Sequence, residues 1–375
     1  MAVIRRLVAP IVAATASAGM SLAMMAPASA ATHGPASFIG HFSKIKNIAS
    51  TVPANGDVNP YGVAVIQASR GRLQRGDVLV SNFNNAANLQ GTGTTIVEIS
   101  PGGHQTLFAQ ITKSDLTGSC PGGVGLTTAL AVLRGGWVVV GSTPSANGMA
   151  ATAKAGCLIV LNSHGTVRET ISGHGINGPW DMTTAGNRFA DLFVTNVLNG
   201  TVAAGGNVVH RGTVLRLLVH VHWNQPPTLL AVTTVGSGFS EQTNDAAFVI
   251  GPTGLGLGRG GTLYVADTGG NRVTAIPHAA TRTTSAGTGS VVTSGGALNA
   301  PLGLAVAPNG DVLTVNGGDG QIVETTPAGA QVAHRFLDTS GSPPGSGALF
   351  GLAVAPNGSG VYFVDDATNT LELLH

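Results

Sequence analysis

Asn299 to Asn316 reads Asn-Ala-Pro-Leu-Gly-Leu-Ala-Val-Ala-Pro-Asn-Gly-Asp-Val-Leu-Thr-Val-Asn. About 48 residues further on the phrase returns as Ala348-Leu-Phe-Gly-Leu-Ala-Val-Ala-Pro-Asn-Gly, followed by Val361-Tyr-Phe-Val-Asp365. Two short apolar runs joined by an Asn-Gly turn make a β-hairpin. A hairpin cannot bury its own apolar faces. A chain that repeats one at this period must therefore stack the copies against each other, as the blades of a propeller do.

The repeat can be followed six times. Its first strand opens on a Pro-x-Gly-apolar step or a variant of it: Pro60-Tyr61-Gly62-Val63, Gly123-Val124-Gly125-Leu126, Pro179-Trp180-Asp181-Met182, Pro252-Thr253-Gly254-Leu255, Pro301-Leu302-Gly303-Leu304 and Leu349-Phe350-Gly351-Leu352. Glycine at this step suits close backbone approach near a central axis. Second strands are expected at 77–81, 137–141, 191–196, 262–267, 311–316 and 361–365, and third strands at 95–99, 157–161, 213–217, 272–276, 321–325 and 370–374. Fourth strands are clear at 105–109, 167–171, 229–235 and 331–336. The expected fold is all-β, a six-bladed β-propeller of four-stranded antiparallel blades. The sixth blade reaches His375 after three strands, which would leave a sheet edge open. Lys44-Ile-Lys-Asn-Ile-Ala-Ser50, an N-terminal strand ahead of the first repeat, is expected to pair there and close the ring.

Before the repeats, Arg5 and Arg6, an apolar stretch from Leu7 to Met25, and Ala28-Ser29-Ala30 have the order of a secretory signal with its cleavage site. Residues 1–30 are read as a signal peptide and 31–375 as one propeller domain, secreted or periplasmic. No later apolar run is long enough to cross a bilayer, so no membrane insertion is expected after cleavage. Charged residues make up 9% of the chain, with a formal net charge of +1, against about 25% charged in ordinary globular domains. With no basic stripe interleaved with aromatics, nucleic acid is not expected as a partner; a monomer is expected. Cys120 and Cys157 are the two cysteines. In an exported chain such a pair suggests a disulfide, the alternative being two separate buried thiols. The bond would close a loop of roughly 37 residues and contribute about 3 kcal/mol.

Gly261-Thr-Leu-Tyr-Val-Ala-Asp267-Thr-Gly-Gly-Asn271-Arg272-Val273, preceded by Pro252-Thr-Gly254-Leu, resembles the NHL repeat. The likeness runs over the whole mature chain, although only the blade starting at Pro252 has the Asp-x-x-x-Asn-Arg spacing. It implies a six-bladed propeller; members bind proteins or RNA, act as scaffolds, or catalyse. Related propeller enzymes, the streptogramin lyases, peptidyl-hydroxyglycine lyases and gluconolactonases, rely on a metal at the central channel. Their ligand sets, His rings or Glu/Asn/Asp combinations, have no position-by-position counterpart here.

Departures from the repeat are where specificity would sit. The loops at 82–93, 142–156 and 195–212 are long, as is the lead-in loop at 236–251 with Phe239, Glu241, Asn244 and Asp245, and all fall on one face. Long loops on a rigid scaffold collect binding residues, or are tolerated insertions. Asp181 stands where the other five inner steps have glycine. A carboxylate near the axis must be hydrogen-bonded, paired or metal-bound. Two readings stay open: it accepts backbone N–H groups, or it joins Asn196, Asn199, Glu241, Asn244 and Asp245 in an oxygen-rich calcium or polar-ligand site. Calcium is thus the cofactor that the residues could suit, with none required. Tyr61, Trp180 and Phe350 are the aromatics expected at the channel mouth. Asn82, Asn196, Asp267, Asn316 and Asp365, ending second strands, read as turn makers, and Glu98, Glu324 and Glu372 as a repeated solvent or inter-blade position. His220 and His222 have a spacing that zinc can use, but read as outward residues at a wet strand end. No Gly-x-Ser-x-Gly elbow or phosphate-binding glycine loop is present.

The leading expectation is an exported binding or scaffold module that takes a small molecule, glycan or protein on the long-loop face of blades 1–3. The alternative is a metal-dependent lyase or lactonase, using calcium or zinc, at the central channel.

Overall fold

A computed structural model of the chain describes residues 37–375. The signal peptide read at 1–30 lies outside the described residues. Six antiparallel sheets follow one another around an axis, each running outward from its first strand. Blade 1 comprises Val58–Val65, Val78–Asn84, Thr95–Ile99 and Gln105–Gln110; blade 2 comprises Leu126–Leu133, Trp137–Ser142, Cys157–Leu161 and Val167–Ile171. Blade 3 is Pro179–Gly186, Phe189–Asn196, Val209–His220 and Thr228–Asn244, with a fifth strand, Phe248–Ile250, hydrogen-bonded to the end of the fourth. Blade 4 is Pro252–Leu257, Leu263–Asp267, Arg272–Ile276 and Ser290–Ser294, and blade 5 is Pro301–Val306, Val312–Asn316, Gln321–Thr325 and Gln331–Phe336. Blade 6 has Leu349–Val354, Val361–Asp365 and Thr370–Leu374, and its outermost strand is Ile45–Ser50 from the other end of the chain. That strand runs antiparallel to the last one, from Ile45 opposite Leu374 to Ser50 opposite Thr370.

The burial of each strand follows from this stacking. Second strands are covered on both faces by neighbouring blades, so Val312–Asn316 and Val361–Asp365 are buried at every position. The outer strand Gln331–Phe336 alternates half-buried and exposed residues, as a strand with one wet face must. An apolar core lies between each successive pair of blades, including the seam where Val78, Val80 and Val97 of blade 1 meet Tyr362, Val364 and Leu371 of blade 6.

At the inner step, glycine is required by contact. A Cβ on Gly303 would lie 2.0 Å from the Phe350 carbonyl oxygen, and one on Gly351 would lie 2.1 Å from that of Tyr61. Blade 2 departs from the expected register. Leu126, not Gly123, takes the proline position, opposite Ser142, and one extra residue precedes the Leu130–Val140 pair. The inner position of blade 2 is therefore held by Thr128, whose hydroxyl donates to the Trp180 carbonyl oxygen, so four blades and not five have glycine there. The lead-in expected as a loop at 236–251 is mostly strand. Phe239 and Glu241 are buried on alternate positions, and the fourth strand of blade 3 runs on to Asn244 before turning back.

Cys120 and Cys157 are joined by a disulfide, with a Cα–Cα distance of 5.2 Å across a sequence separation of 37. The bond ties the segment before blade 2 to the start of that blade's third strand.

Candidate functional site

Two cavities occupy the axis, one above the other, separated by aromatic side chains from the position after each inner proline or leucine. Tyr61 stacks on Phe350 with ring centroids 4.0 Å apart and on Phe83 at 4.5 Å, while Trp180 meets Tyr61 edge-on at 5.8 Å. Phe248, from the extra strand of blade 3, stacks on Trp180 at 6.3 Å. Trp180, Leu302 and Phe350 line both cavities and form the partition.

The lower cavity, of about 300 Å³, is walled by the first strands and contains Asp181. Its carboxylate accepts the Leu255 N–H at 2.8 Å. Enclosure in the channel pushes its pKa up to about 7, with the Leu255 and Met182 N–H groups pulling back. Asp181 thus bonds across to the backbone of blade 4. None of its five supposed co-ligands lines this cavity. Asn199 receives the Asn177 side-chain amide at 2.6 Å and gives its N–H to Glu241, whose carboxyl is buried and pushed up to about 7. Asn196 accepts the Asn177 N–H. The Asn244 side chain caps the N–H groups of Ala246 and Ala247, both at 2.9 Å, and the Asp245 carbonyl oxygen accepts from Gln90. Glu241, Asn244 and Asp245 lie on and just after strand Thr228–Asn244, whose continuation, Ala246 to Ile250, borders the upper cavity and not the one that holds Asp181.

The upper cavity, of about 380 Å³, opens at the long-loop face. Its floor is Tyr61, Trp180 and Phe350; its walls include Asn59, Asn84, Asn88 and Asp366. Asp366 is half-buried, and its carboxyl has no hydrogen-bond partner among the described residues; burial alone pushes its pKa up to about 6. It faces the Tyr61 phenol. Burial, reinforced by the Asp366 carboxylate, pushes that phenol well above its ordinary range, and a hydrogen bond from the Asn59 side chain offsets part of the rise. Asn59 and Asn88 both adopt left-handed backbone, with φ of 59° and 57°. The Oδ1 atoms of Asn59 and Asn84 are buried without partners. A buried acceptor left unmade costs about 1–3 kcal/mol, which a ligand donor or cation could recover.

Sequence reasoning passed over Asp366, although the repeat contains its signal. The residue after each second-strand Asx or Ser position is Phe83, Thr143, Val197, Thr268, Gly317 and Asp366, five uncharged and one acidic. Its neighbour Asp365 makes a turn by accepting the Thr368 N–H, as Asp267 does with Gly270. Metal ligation by side chains of ordinary type is limited: among the described residues no group of three or more His, Cys, Asp or Glu converges. His220 and His222 lie together, with ring centroids 4.1 Å apart, on the opposite face near Arg188.

The sequence matches no protein-family model and no curated protein sequence. Solved structures do share the fold. A gluconolactonase from Xanthomonas campestris aligns with a TM-score of 0.53 at 15% identity, over 86% of this chain and 87% of that one. A calcium-binding regucalcin from Agrobacterium tumefaciens gives 0.54 at 14% identity, over 87% of this chain and 93% of that one. A streptogramin B lyase gives 0.53 at 14%, over 88% of this chain and 97% of that one. At such identities the likeness is one of fold.

Proposed function

We propose that the upper cavity is the active site of an exported lactonase or lyase, acting on a small, neutral, polar substrate, a cyclic ester in the first instance. The single observation that carries this reading is the Asp366 carboxyl: unpartnered, facing a cavity with an aromatic floor, and poised to change charge at about pH 6. A binding or scaffold module rests on the lack of convergent catalytic groups, and Asp366 with Tyr61 supplies such a pair. The fold is also shared with gluconolactonases and a streptogramin lyase. Export accords with the disulfide, which persists in oxidising compartments. The NHL-like blade at Pro252 contributes Thr268 to the wall of the upper cavity.

In the proposed chemistry, Asp366 as carboxylate takes a proton from the water that attacks the ester carbon, or from the substrate carbon in an elimination. Tyr61 stays protonated at all working pH values and hydrogen-bonds to the carbonyl oxygen on which charge develops, and as the ester C–O bond breaks Asp366 returns its proton to the leaving oxygen. The aromatic floor stacks the ring and keeps water out. The donor set is all oxygen with one carboxylate, which suits calcium and not zinc. Asp366, Asn59 and Asn84 would hold that ion, and its chemistry would be to polarise the substrate carbonyl.

The test is hydrolysis of gluconolactone and cleavage of streptogramin B by the purified chain, with and without calcium. Activity should rise through about pH 6, and Asp366→Asn should lower kcat by about 10²–10⁴. Turnover that survives Asp366→Asn unchanged, or no turnover of either substrate, would overturn the reading.

A further inference from the structure

The face opposite the channel mouth holds a second feature that the chemistry above does not use. A cleft of about 440 Å³ lies between the turns of blades 1, 2 and 3, lined by Arg70, Asn162, His164, Arg168, Trp223 and Asn224. Trp223 is 53% exposed, whereas Trp137 and Trp180 are each 4% exposed. The Arg134 guanidinium lies 4.7 Å from the Trp223 ring centroid, and that of Arg70 lies 5.3 Å away. The turn carrying Trp223 is anchored from below, where the buried Trp137 indole donates to the His222 carbonyl oxygen at 2.7 Å.

The charge in this cleft is of one sign. The cleft lining contains no Asp or Glu. Among the described residues the ion pairs are Arg216 with Asp191 and Arg272 with Asp267, so Arg70, Arg134 and Arg168 have no carboxylate partner. Arg70 makes one side-chain hydrogen bond, to Asn224 at 3.4 Å. Three guanidiniums gathered without a counter-charge repel one another, and an oxyanion between them reverses the sign of that interaction. Guanidinium forks match tetrahedral oxyanions, and stacking on an indole orients the fork while leaving its N–H edge free to donate.

We propose that this cleft is a binding site for a phosphate or sulfate group, independent of the channel-mouth chemistry. Trp223 is the exposed tryptophan and Trp137 lines the cleft beneath it, so the part of an emission change that is lost in Trp223→Phe reports on the exposed ring. The experiment titrates the full chain at pH 6 with inorganic phosphate, inorganic sulfate and, at matched ionic strength, sodium chloride. The expected result is a saturable emission change with phosphate or sulfate and none with chloride, reduced in Trp223→Phe. In Arg134→Ala/Arg168→Ala, which alters exposed side chains and should melt as the parent does, the dissociation constant measured by calorimetry should rise at least about tenfold, as loss of charge-assisted hydrogen bonds implies. An equal response to chloride, or unchanged affinity in the double variant, would overturn the proposal.

Discussion

At Gly351 the ring closes on itself. The residue belongs to the last blade, yet its missing side chain is occupied by the Tyr61 carbonyl of the first, 2.1 Å from where a Cβ would stand. Backbone cannot swing aside as a long side chain can, so Gly351→Ala must push blades 6 and 1 apart. Overpacking of this kind costs about 1–3 kcal/mol. Because Phe350 and Tyr61 stack directly above, the same shift should open the floor of the upper cavity. A melt of the variant should come several degrees below the parent, and because the φ of Gly351 is not positive, that loss would report the carbonyl contact and not backbone strain. A variant that melts with the parent would show that the seam is loose. Residue by residue, the site was only half legible. Tyr61, Trp180 and Phe350 could be placed together near the axis because they share one repeat position, although they form the floor of the upper cavity and not its mouth. Asp366 could not, because the turn-making Asp365 beside it accounts for acidity at that place in the repeat.

Strands were read most accurately where both faces are buried. Third strands Thr95–Ile99, Cys157–Leu161, Arg272–Ile276, Gln321–Thr325 and Thr370–Leu374 have the expected bounds, since the turns before and after them recur at the same places in the repeat. The outer strands Val167–Ile171 and Gln331–Phe336 also have the expected bounds, and that of blade 4 was the one missed. Ser290–Ser294 has exposed ends and half-buried centres, and its Ser-Val-Val-Thr-Ser sequence does not differ from a loop in composition. The closing strand was legible by exclusion, since one sheet edge lacked a partner. Its attachment goes beyond the strand ladder. Glu324 of blade 5 receives the Ser37 hydroxyl at 2.6 Å and the N–H groups of Phe38 and Ile39 at 2.7 and 2.8 Å, and Ile39 is buried against Leu313 and Phe363. Hence the segment before Thr51 bridges blades 5 and 6. Removing residues up to Ser50 should lower the melting temperature by many degrees and expose the Thr370–Leu374 edge to aggregation. Glu324→Gln, which keeps the strand but loses a charge-assisted acceptor, should cost about 1–3 kcal/mol. Thermal melts of both would check this; a truncated chain that melts with the parent would mean that the ring does not depend on this strand.

For the whole molecule, low charge has a consequence beyond solubility. Its few carboxyls are disproportionately enclosed, and burial raises most of them: Asp181, Glu241 and Asp365 to about 7, and Asp311 and Asp366 to about 6. In the unfolded chain the same groups titrate near 4. Between about pH 4 and 7 the folded state therefore binds more protons than the unfolded one, and stability falls as pH rises through that window. Glu324 acts in the opposite sense. Hydrogen bonds from Ser37, Phe38 and Ile39 outweigh its burial and hold it low, so its contribution is present above the unfolded pKa and is lost as pH drops below it. One lowered group does not offset five raised ones, so the melting temperature should be highest near pH 4 and decline by a few degrees toward pH 8. Asp181→Asn should flatten part of that decline, because an amide oxygen can still accept the Leu255 N–H without a charge to desolvate. Scanning calorimetry from pH 4 to 8 on parent and variant decides it: a parent whose stability is flat or rises between pH 5 and 8 would mean that these carboxyls are better solvated than their enclosure implies. The carboxylate nearest the axis would then be a latch between blades 3 and 4 that costs stability only where it is ionised.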